Sequence, residues 1–393
     1  MPEDLTAVES MLLTLLIAPD VCVHPSDLCA EGWYQLAHIA HEHLIGGALY
    51  SRLRDIPRSE ISLEILDGLR VTAIKTALNN AHMIAEVREI ASLFERNGID
   101  VILLKGAHLI TAVYESLAQR SMADIDLLVR PESLGKARQL MEEQGYSVAV
   151  GTPANPEPKH HLPRFFRTLS MPVEVHHALT RPDDPFTVNV DALWERAVPV
   201  SLGESKLLGL ATEDLLLHLC VHAAAHHALN VPLRSLFDIS TLINKRDIEW
   251  DQVMMHSREW QVRKHVFWAL ALSCRMFEAE VPEAVLSALR PPQFSEERLR
   301  SVCVCMVRSR RLPRSIERAV EAAGAWKGLH ECAAWLPYLC QGLRNRISGK
   351  SRSGGARQPR GGKSSLLQQT IIECLHRRKH SRIIWELELS RCD

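Results

Sequence analysis

Two aspartates separated by one residue, Asp124 and Asp126, are the positions in this sequence best suited to carry out chemistry. They belong to a short apolar segment that predicts a β-strand, and side chains two residues apart on a strand point to the same face. Two carboxylates on one face can hold a pair of Mg²⁺ ions, which stabilise the attacking and leaving oxygens in phosphoryl or nucleotidyl transfer. A third acid, Glu174, follows in a second short strand and is expected to accept a proton from the attacking group. The three acids are therefore the predicted catalytic residues and the predicted ligands of Mg²⁺ or Mn²⁺.

A glycine-containing turn precedes the aspartate pair. Residues 101–104 predict a strand, and Lys105 and Gly106 then open an amphipathic helix that is expected to end near Ala118. The first backbone N–H groups of this helix would face a phosphate. Lys105 either pairs with phosphate oxygens as a point charge or is a solvated lysine. Arg120 either neutralises a phosphate or pairs with Asp124. A D-x-D pair also occurs at solvated strand edges and helix caps, and this preceding turn favours the functional interpretation. Lys105, Gly106 and Arg120 are the predicted nucleotide-binding residues.

Histidines recur at helical spacing in the second half of the chain. His218, His222 and His226 are four residues apart and so share one helix face, and Asp238 follows on the next predicted helix. Histidine and aspartate together are typical of metal-dependent phosphohydrolases, but the same histidines can simply pack between helices. Arg234 and Asp238 are also four residues apart and form either an intrahelical pair or a contact that faces a cleft.

Charge is distributed unevenly although the net charge is only −1. The near-neutral total argues against electrostatic attraction of the whole chain to nucleic acid. Residues 344–363 nevertheless contain seven basic residues and no acid. A second basic group lies before the third acid and either attracts an anionic substrate or forms a solvated hairpin. It consists of Lys159, His160, His161, Arg164 and Arg167.

The order of these motifs resembles the nucleotidyltransferase superfamily of polymerase β, in which a glycine turn precedes D-x-D or D-x-E and a third carboxylate lies on a following strand. The sequence is more similar still to an uncharacterised bacterial nucleotidyltransferase family, over residues 10 to 280. The segments that carry the resemblance are Leu103-Leu104-Lys105-Gly106, Tyr114, Arg120, Asp124-Ile125-Asp126-Leu127-Leu128-Val129, Val173-Glu174-Val175-His176-His177, Glu213-Asp214-Leu215-Leu216-Leu217-His218-Leu219 and Leu236-Phe237-Asp238-Ile239.

This resemblance implies that a nucleoside monophosphate is moved from an NTP to an acceptor hydroxyl or amine. The helical half would supply the acceptor cleft, and the acceptor is expected to be a small molecule, peptide or protein rather than a nucleic acid. The sequence departs from the superfamily at Ala107, where Ser or Gly usually follows the turn glycine, and at Glu174, where Asp is commoner. The residues assigned to the cleft are His176, His222, Arg234 and Asp238.

The elements that must position these residues predict an α+β fold. A small mixed β-sheet of the nucleotidyltransferase type is expected between N-terminal helices and a larger C-terminal helical region. The longest predicted helix covers residues 62–97 and ends at an Asn-Gly pair. The predicted divisions are a helical region at residues 1–97, the α/β core at 98–208, a helical acceptor domain at 209–347, a flexible basic linker at 348–365 and a C-terminal helix at 366–393.

Composition predicts a cytoplasmic protein. No apolar run reaches the roughly 20 residues that span a bilayer, which argues against a membrane protein, and the acidic start lacks the features of a signal peptide. The ten cysteines are scattered, with none between Cys29 and Cys220, so they do not resemble a disulfide framework. Cys303 and Cys305 lack a second pair at metal-ligand spacing and are interpreted as structural.

Three functions remain open from the residues alone. The first is a metal-dependent nucleotidyltransferase built on the three acids. The second is a catalytically silent scaffold that binds a nucleotide or a partner without turnover. The third is a kinase-like or phosphohydrolase-like activity that uses Lys105 or the histidine face.

Overall fold

The structure, a computed structural model, describes residues 4–17, 27–56, 61–148, 160–168, 170–202 and 205–308. The chain forms two compact units, Met1–Ser147 with Glu157–Glu331, and Val148–Pro156 with Cys332–Asp393. Apart from Val148, the described residues all belong to the first unit. The predicted basic linker and C-terminal helix lie outside the described residues, and the predicted domain boundaries stay predictions.

Four helices form the N-terminal region. Apolar side chains recur at three- and four-residue spacing along each helix, so one face of each is buried. The longest helix matches the one predicted over residues 62–97, and it ends at Gly98, whose φ of +70° lies in the left-handed region that favours glycine. The helices are α1 Ala7–Ile17, α2 Ala30–Glu42, α3 Gly46–Leu53 and α4 Leu63–Arg96.

A seven-stranded mixed sheet follows in the order β3-β4-β5-β2-β1-β7-β6. The pairs β2/β5 and β1/β7 are parallel, whereas β1/β2, β4/β5 and β6/β7 are antiparallel. The sheet packs against α4 and α5. Its strands are β1 Ile102–Leu103, β2 Ile125–Leu128, β3 Ser147–Val148, β4 Phe165–Phe166, β5 Val173–His176, β6 Val198–Leu202 and β7 Ser205–Gly209.

Nine further helices bring the total in the described residues to thirteen. They confirm the predicted α+β class, with N-terminal helices, a mixed sheet and a helical C-terminal region. A five-residue π-helical turn, His222–His226, directly continues the helix α8, Thr212–Val221. The helices are α5 Lys105–Ala112, α6 Leu134–Glu143, α7 Val190–Arg196, α8 Thr212–Val221, α9 Leu233–Lys245, α10 Trp250–Glu259, α11 Arg263–Phe277, α12 Glu283–Leu289 and α13 Glu296–Val307.

Two local features differ from the sequence expectation. The helix that begins at Lys105 ends at Ala112 rather than near residue 118. The Asn80 amide of α4 donates to the carbonyls of Leu117 and Arg120, at 2.7 and 2.6 Å, so the segment after α5 has hydrogen-bond partners without remaining helical. The antiparallel hairpin β6/β7 was not expected at all. Within the described residues, no helix has both the length and the apolar content to cross a membrane.

Candidate active site

The strand register brings two of the predicted acids side by side. In the parallel pair β2/β5, Asp126 lies opposite Glu174 and Leu128 lies opposite His176. Because residues paired across neighbouring strands share a face, Asp126, Glu174 and His176 project together. These three side chains, here called the sheet wall, line a cavity of about 520 Å³.

Asp126 is the most deeply buried of the three acids, with 2% of its surface exposed. Its Oδ1 accepts hydrogen bonds from Lys105 Nζ at 3.1 Å and from His176 Nε2 at 2.9 Å. Burial alone would raise the carboxyl pKa, but the Lys105 charge and the His176 hydrogen bond hold the pKa of Asp126 well below its usual range. Asp126 is therefore ionised and already compensated by a cation.

Glu174 is bound by a guanidinium from the loop before β4. Arg164 donates to Glu174 Oε1 through Nε at 2.7 Å and also through Nη2. His176 Nε2 lies 3.4 Å from the other carboxylate oxygen, Oε2. Burial opposes ionisation, yet the hydrogen bonds from His176 and Arg164 lower the pKa of Glu174 to about 2. Arg164 belongs to the basic group identified in the sequence before the third acid, and in the structure it contacts Glu174.

Asp124 lies just before β2, with 39% of its side chain exposed at the cavity. Its Oδ2 is 3.9 Å from Arg164 Nη2. Burial and the negative charge of Asp126 raise the pKa of Asp124, and Lys105 only partly offsets them. The two aspartates of the D-x-D motif thus differ: Asp126 is fixed by two hydrogen bonds, whereas Asp124 lies at the more exposed edge.

One group of side chains in the described residues has the spacing of a metal site. Ligand atoms of Asp126, Glu174 and His176 all lie within 4.8 Å of one another. Two of these were predicted as ligands, and the third, His176, was predicted only as a cleft residue. The signal was present in the sequence, because Glu174-x-His176 places both side chains on one face of a strand. Asp124 lines the same cavity but is not a member of this group.

Lys105 occupies the first position of α5 with an unusual backbone. Its φ is +38°, in the left-handed region that costs a non-glycine residue about 1 kcal/mol or more. Burial would lower the pKa of its amine, but the negative charge of Asp126 raises it. Lys105 is thus a cation that contacts the sheet wall, rather than a solvated lysine.

Arg120 pairs with Asp238, not with Asp124. Its Nε and Nη2 donate to the two oxygens of the Asp238 carboxylate at 2.8 and 2.9 Å, and the Tyr114 hydroxyl donates to Oδ1 at 2.7 Å. Arg120 and Asp238 expose 5% and 2% of their surfaces. Of the two alternatives for Arg234 and Asp238, the described contacts include no intrahelical ion pair, and both residues line the cavity. Gly106 adjoins the pair, since a Cβ built there would lie 2.8 Å from Arg120 Nη1.

A match to a known family accompanies this geometry. The model of a family described as uncharacterised nucleotidyltransferases matches residues 30–278. The chain belongs to this family. It is accordingly a nucleotidyltransferase, as the motifs of the sheet wall predict. No curated protein sequence matches the chain.

Two solved structures show a weaker likeness to this nucleotidyltransferase. A solution structure of the antibiotic-resistance factor ANT(2'')-Ia is 11% identical and covers 47% of this chain and 94% of that one, with a TM-score of 0.34. A crystal structure of ANT(2'')-Ia in complex with adenylyl-2''-tobramycin is 10% identical and covers 46% and 97%, also with a TM-score of 0.34. A TM-score of this size does not establish a common fold.

The opposite side of the nucleotidyltransferase cavity is helical. His222 and His226 of the π-helical turn and Arg234 of α9, here called the helical wall, all line the cavity. Burial and the nearby charge of Lys105 hold the pKa of His222 well below its usual range, so this imidazole is neutral. His226 Nε2 lies 3.3 Å from Asp184 Oδ2. Within the described residues, no set of ligand atoms with metal-site spacing occurs on this wall.

His218 is separate from the cavity-lining histidines. It is 3% exposed and does not line the cavity, although it is four residues before His222. Two histidines from outside the helix, His160 and His161, also line the cavity, and their rings lie 5.6 and 5.1 Å from that of His176. Sequence spacing on one helix therefore predicted the shared face of His222 and His226, whereas chain folding brings His160 and His161 to the same cavity.

Proposed function

We propose that this nucleotidyltransferase moves a nucleoside monophosphate from an NTP to an acceptor hydroxyl or amine, with Asp124, Asp126 and Glu174 as its catalytic residues. The observation that carries the proposal is the register of β2 and β5, which places Asp126 beside Glu174 within one cavity. In the reaction, the acceptor oxygen or nitrogen bonds to the α-phosphorus, and the bond from that phosphorus to the bridging oxygen of the β-phosphate breaks. Pyrophosphate leaves, and the acceptor proton passes to a carboxylate and then to water.

The donor set fits a divalent cation such as Mg²⁺ or Mn²⁺. Carboxylate oxygens of Asp126 and Glu174 converge with the imidazole nitrogen of His176, and carboxylates are the ligands that these hard cations prefer. Two side-chain cations, Lys105 and Arg164, already contact the same carboxylates, which shows that the group attracts positive charge. We assign the cation to Asp126, Glu174 and His176, with Asp124 at its open side. When bound, the cation would stabilise the negative charge that develops on the transferred phosphate.

The protein groups have separable roles in this scheme. Glu174 is the proposed proton acceptor for the attacking group, because it lies beside Asp126 and lines the cavity. Lys105, Gly106 and Arg120 are the proposed nucleotide-binding residues, since all three line the same part of the cavity. The acceptor would enter beside His222. A cavity of about 520 Å³ suits a small molecule or an extended side chain better than a folded nucleic acid.

The test is transfer of label from NTPs that carry radioactive phosphorus at the α-position. Wild type would be incubated with each NTP and with lysate fractions as sources of acceptor, with and without EDTA. We expect metal-dependent labelling of one fraction or of the protein itself. Asp126→Asn should lower the rate at least about 100-fold, because it removes one charge from the cation site. Asp67→Asn, an exposed aspartate of α4, is the matched control and should transfer normally.

Three results would contradict the proposal. Labelling that persists in EDTA would exclude the metal assignment, and equal labelling by wild type and Asp126→Asn would exclude the assigned acids. Binding of NTP by wild type without transfer to any fraction would favour the scaffold function instead.

A further inference from the structure

Beside the acids, two guanidinium groups converge on one backbone oxygen. Arg234 Nη1 donates to the Ser121 carbonyl at 2.6 Å, and Arg120 Nη1 reaches the same oxygen at 3.4 Å. Arg234 Nη1 also lies 3.3 Å from the Ser121 hydroxyl. A carbonyl supplies no full charge, so two positive side chains are held close together by a neutral group.

Among the described residues, one carboxylate forms hydrogen bonds with this pair, and it bonds to Arg120 but not to Arg234. Asp238 accepts Nε and Nη2 of Arg120 and the Tyr114 hydroxyl. The Nε of Arg234 is buried and has no hydrogen-bond partner among the described residues. Burial and then the positive charge of Arg120 lower the pKa of Arg234, and the negative charge of Asp238 only partly offsets these two effects. The two arginines and Asp238 together carry one net positive charge that the described contacts leave uncompensated.

The N-terminus of α5 adjoins the same pair. A Cβ at Gly106 would lie 2.8 Å from Arg120 Nη1, so the glycine backbone and the guanidinium are in close contact. Helix geometry leaves the first N–H groups of α5, including those of Gly106 and Ala107, without intrahelical acceptors. Backbone N–H groups at a helix N-terminus and an uncompensated guanidinium both favour an anion. Gly106, Arg120 and Arg234 all border the cavity that holds Asp126 and Glu174.

We propose that Arg120 and Arg234 form the subsite for the β- and γ-phosphates of the NTP, so that the helical region supplies half of the pyrophosphate-binding group. This inference rests on the proposed function. It moves Arg234 from the acceptor cleft to the nucleotide. It also offers a replacement for the serine hydroxyl that this chain lacks, because Ala107 follows Gly106. A planar guanidinium binds phosphate oxygens through two N–H groups at once, which suits the role.

The experiment measures binding by calorimetry with the full chain, using ATP, inorganic pyrophosphate and AMP in the presence of Mg²⁺. Arg234→Ala should weaken ATP and pyrophosphate binding at least about tenfold and leave AMP binding within about twofold, because AMP has no β- or γ-phosphate. Arg234→Lys keeps the charge and should recover part of the loss. Arg258→Ala, an exposed arginine on α10, is the matched control and should bind all three as wild type does. Thermal unfolding of each variant reports whether the fold survives.

The outcomes separate this inference from the proposed function. If wild type binds no nucleotide, both fail. If wild type binds ATP and Arg234→Ala binds ATP and pyrophosphate equally well, only the phosphate subsite is wrong. Equal weakening of ATP and AMP would indicate a general loss of structure, and it would overturn the assignment to the β- and γ-phosphates. Normal ATP binding with slower labelling of the acceptor would place Arg234 on the acceptor instead, which also overturns it.

Discussion

On the sheet wall, both acids contact a cationic side chain: Lys105 lies 3.1 Å from Asp126, and Arg164 contacts Glu174. On the helical wall, Arg234 reaches only neutral oxygens of Ser121, and His222 is uncharged. On the sheet wall, a metal ion that binds can displace Lys105 or Arg164 from its carboxylate. The net charge of the sheet wall and its partners then changes little. The helical wall holds a positive charge in place for a ligand that brings its own negative charge. Compensated and uncompensated charges thus distinguish two kinds of binding surface within one cavity.

The largest effect should follow from removing the carboxylate of Asp238, which is the one that accepts hydrogen bonds from the arginine pair within the described part of the chain. Asp238→Ala leaves Arg120 buried and unpaired beside Arg234, and we expect the free energy of unfolding to fall by about 3–5 kcal/mol. Urea unfolding monitored by circular dichroism measures the change. Asp67→Ala on α4 is the exposed control and should change stability by less than about 0.5 kcal/mol. A loss below about 1 kcal/mol for Asp238→Ala would show that the arginine pair is compensated in some other way.

A substitution on the sheet wall should affect chemistry more than stability. Glu174→Gln removes the proposed proton acceptor but keeps the shape of the side chain, so we expect label transfer to slow about 100-fold. The affinity for NTP should be spared only in part, because Glu174 is also a proposed ligand of the cation that accompanies the nucleotide. Steady-state rates and calorimetry measure the two quantities separately. Unchanged turnover with strongly weakened NTP binding would reverse the proposed role of Glu174.

Gly106 lies where the two walls meet, and its effect should be intermediate. A methyl group there would lie 2.8 Å from Arg120 Nη1 and 3.2 Å from Met122 Sδ, and Asp238 prevents the guanidinium from moving away freely. We expect Gly106→Ala to weaken ATP binding about tenfold, consistent with overpacking costs of about 1–3 kcal/mol. Gly135→Ala in α6 is the matched control, since a Cβ there meets nothing within 4 Å. Equal ATP affinities for both variants would contradict the close contact.

The smallest effect concerns acid stability in the helical region. His265 is 4% exposed, and burial lowers its pKa to about 4. The charged or titratable groups that influence it are His226, Lys264 and Asp184. Below pH 6.5 His265 binds a proton in the unfolded chain but stays neutral in the folded protein. The free energy of unfolding therefore falls as pH falls, and the loss levels off near pH 4.

From pH 6.5 to 5.5 this histidine alone should lower the free energy of unfolding by about 1 kcal/mol. His265→Phe removes the titration while it keeps a ring against Phe186, and its stability should depend less on pH. Urea unfolding at several pH values measures both slopes. Identical slopes for wild type and variant would contradict a neutral, buried His265.

The sequence predicted those features that depend on the side-chain periodicity of a single strand or helix. Glu174 and His176 lie two residues apart on one strand, and a two-residue period alone places such side chains on one face. The helix over residues 62–97 could also be predicted from the sequence, because its apolar residues are regularly spaced and an Asn-Gly pair follows it. Both features depend on residues that are close in sequence, so no tertiary information was needed to predict them.

Other parts of the site depend on contacts between distant segments. Arg120 and Asp238 are 118 residues apart, and no local pattern distinguishes that pairing from the predicted contact of Arg120 with Asp124. The hairpin β6/β7 was missed although Val200 and Leu202 alternate with more polar neighbours and Gly203 follows. The two acids of the sheet wall could be predicted as metal ligands from the sequence. The uncompensated charge of Arg234 could not, because it depends on Asp238 pairing with Arg120 instead.

The π-helical turn His222–His226 has a consequence for how the cavity can be altered. Such a turn corresponds to an α-helix with one extra residue, and these turns occur frequently at functional sites. Each residue of an α-helix rotates the next side chain by about 100°, because 3.6 residues complete a turn. Deletion of one codon, that of Ala224, would therefore restore a regular helix and redirect every side chain between the deletion and α9. A single residue inserted into a regular helix is thus enough to change which of the side chains that follow it face the cavity.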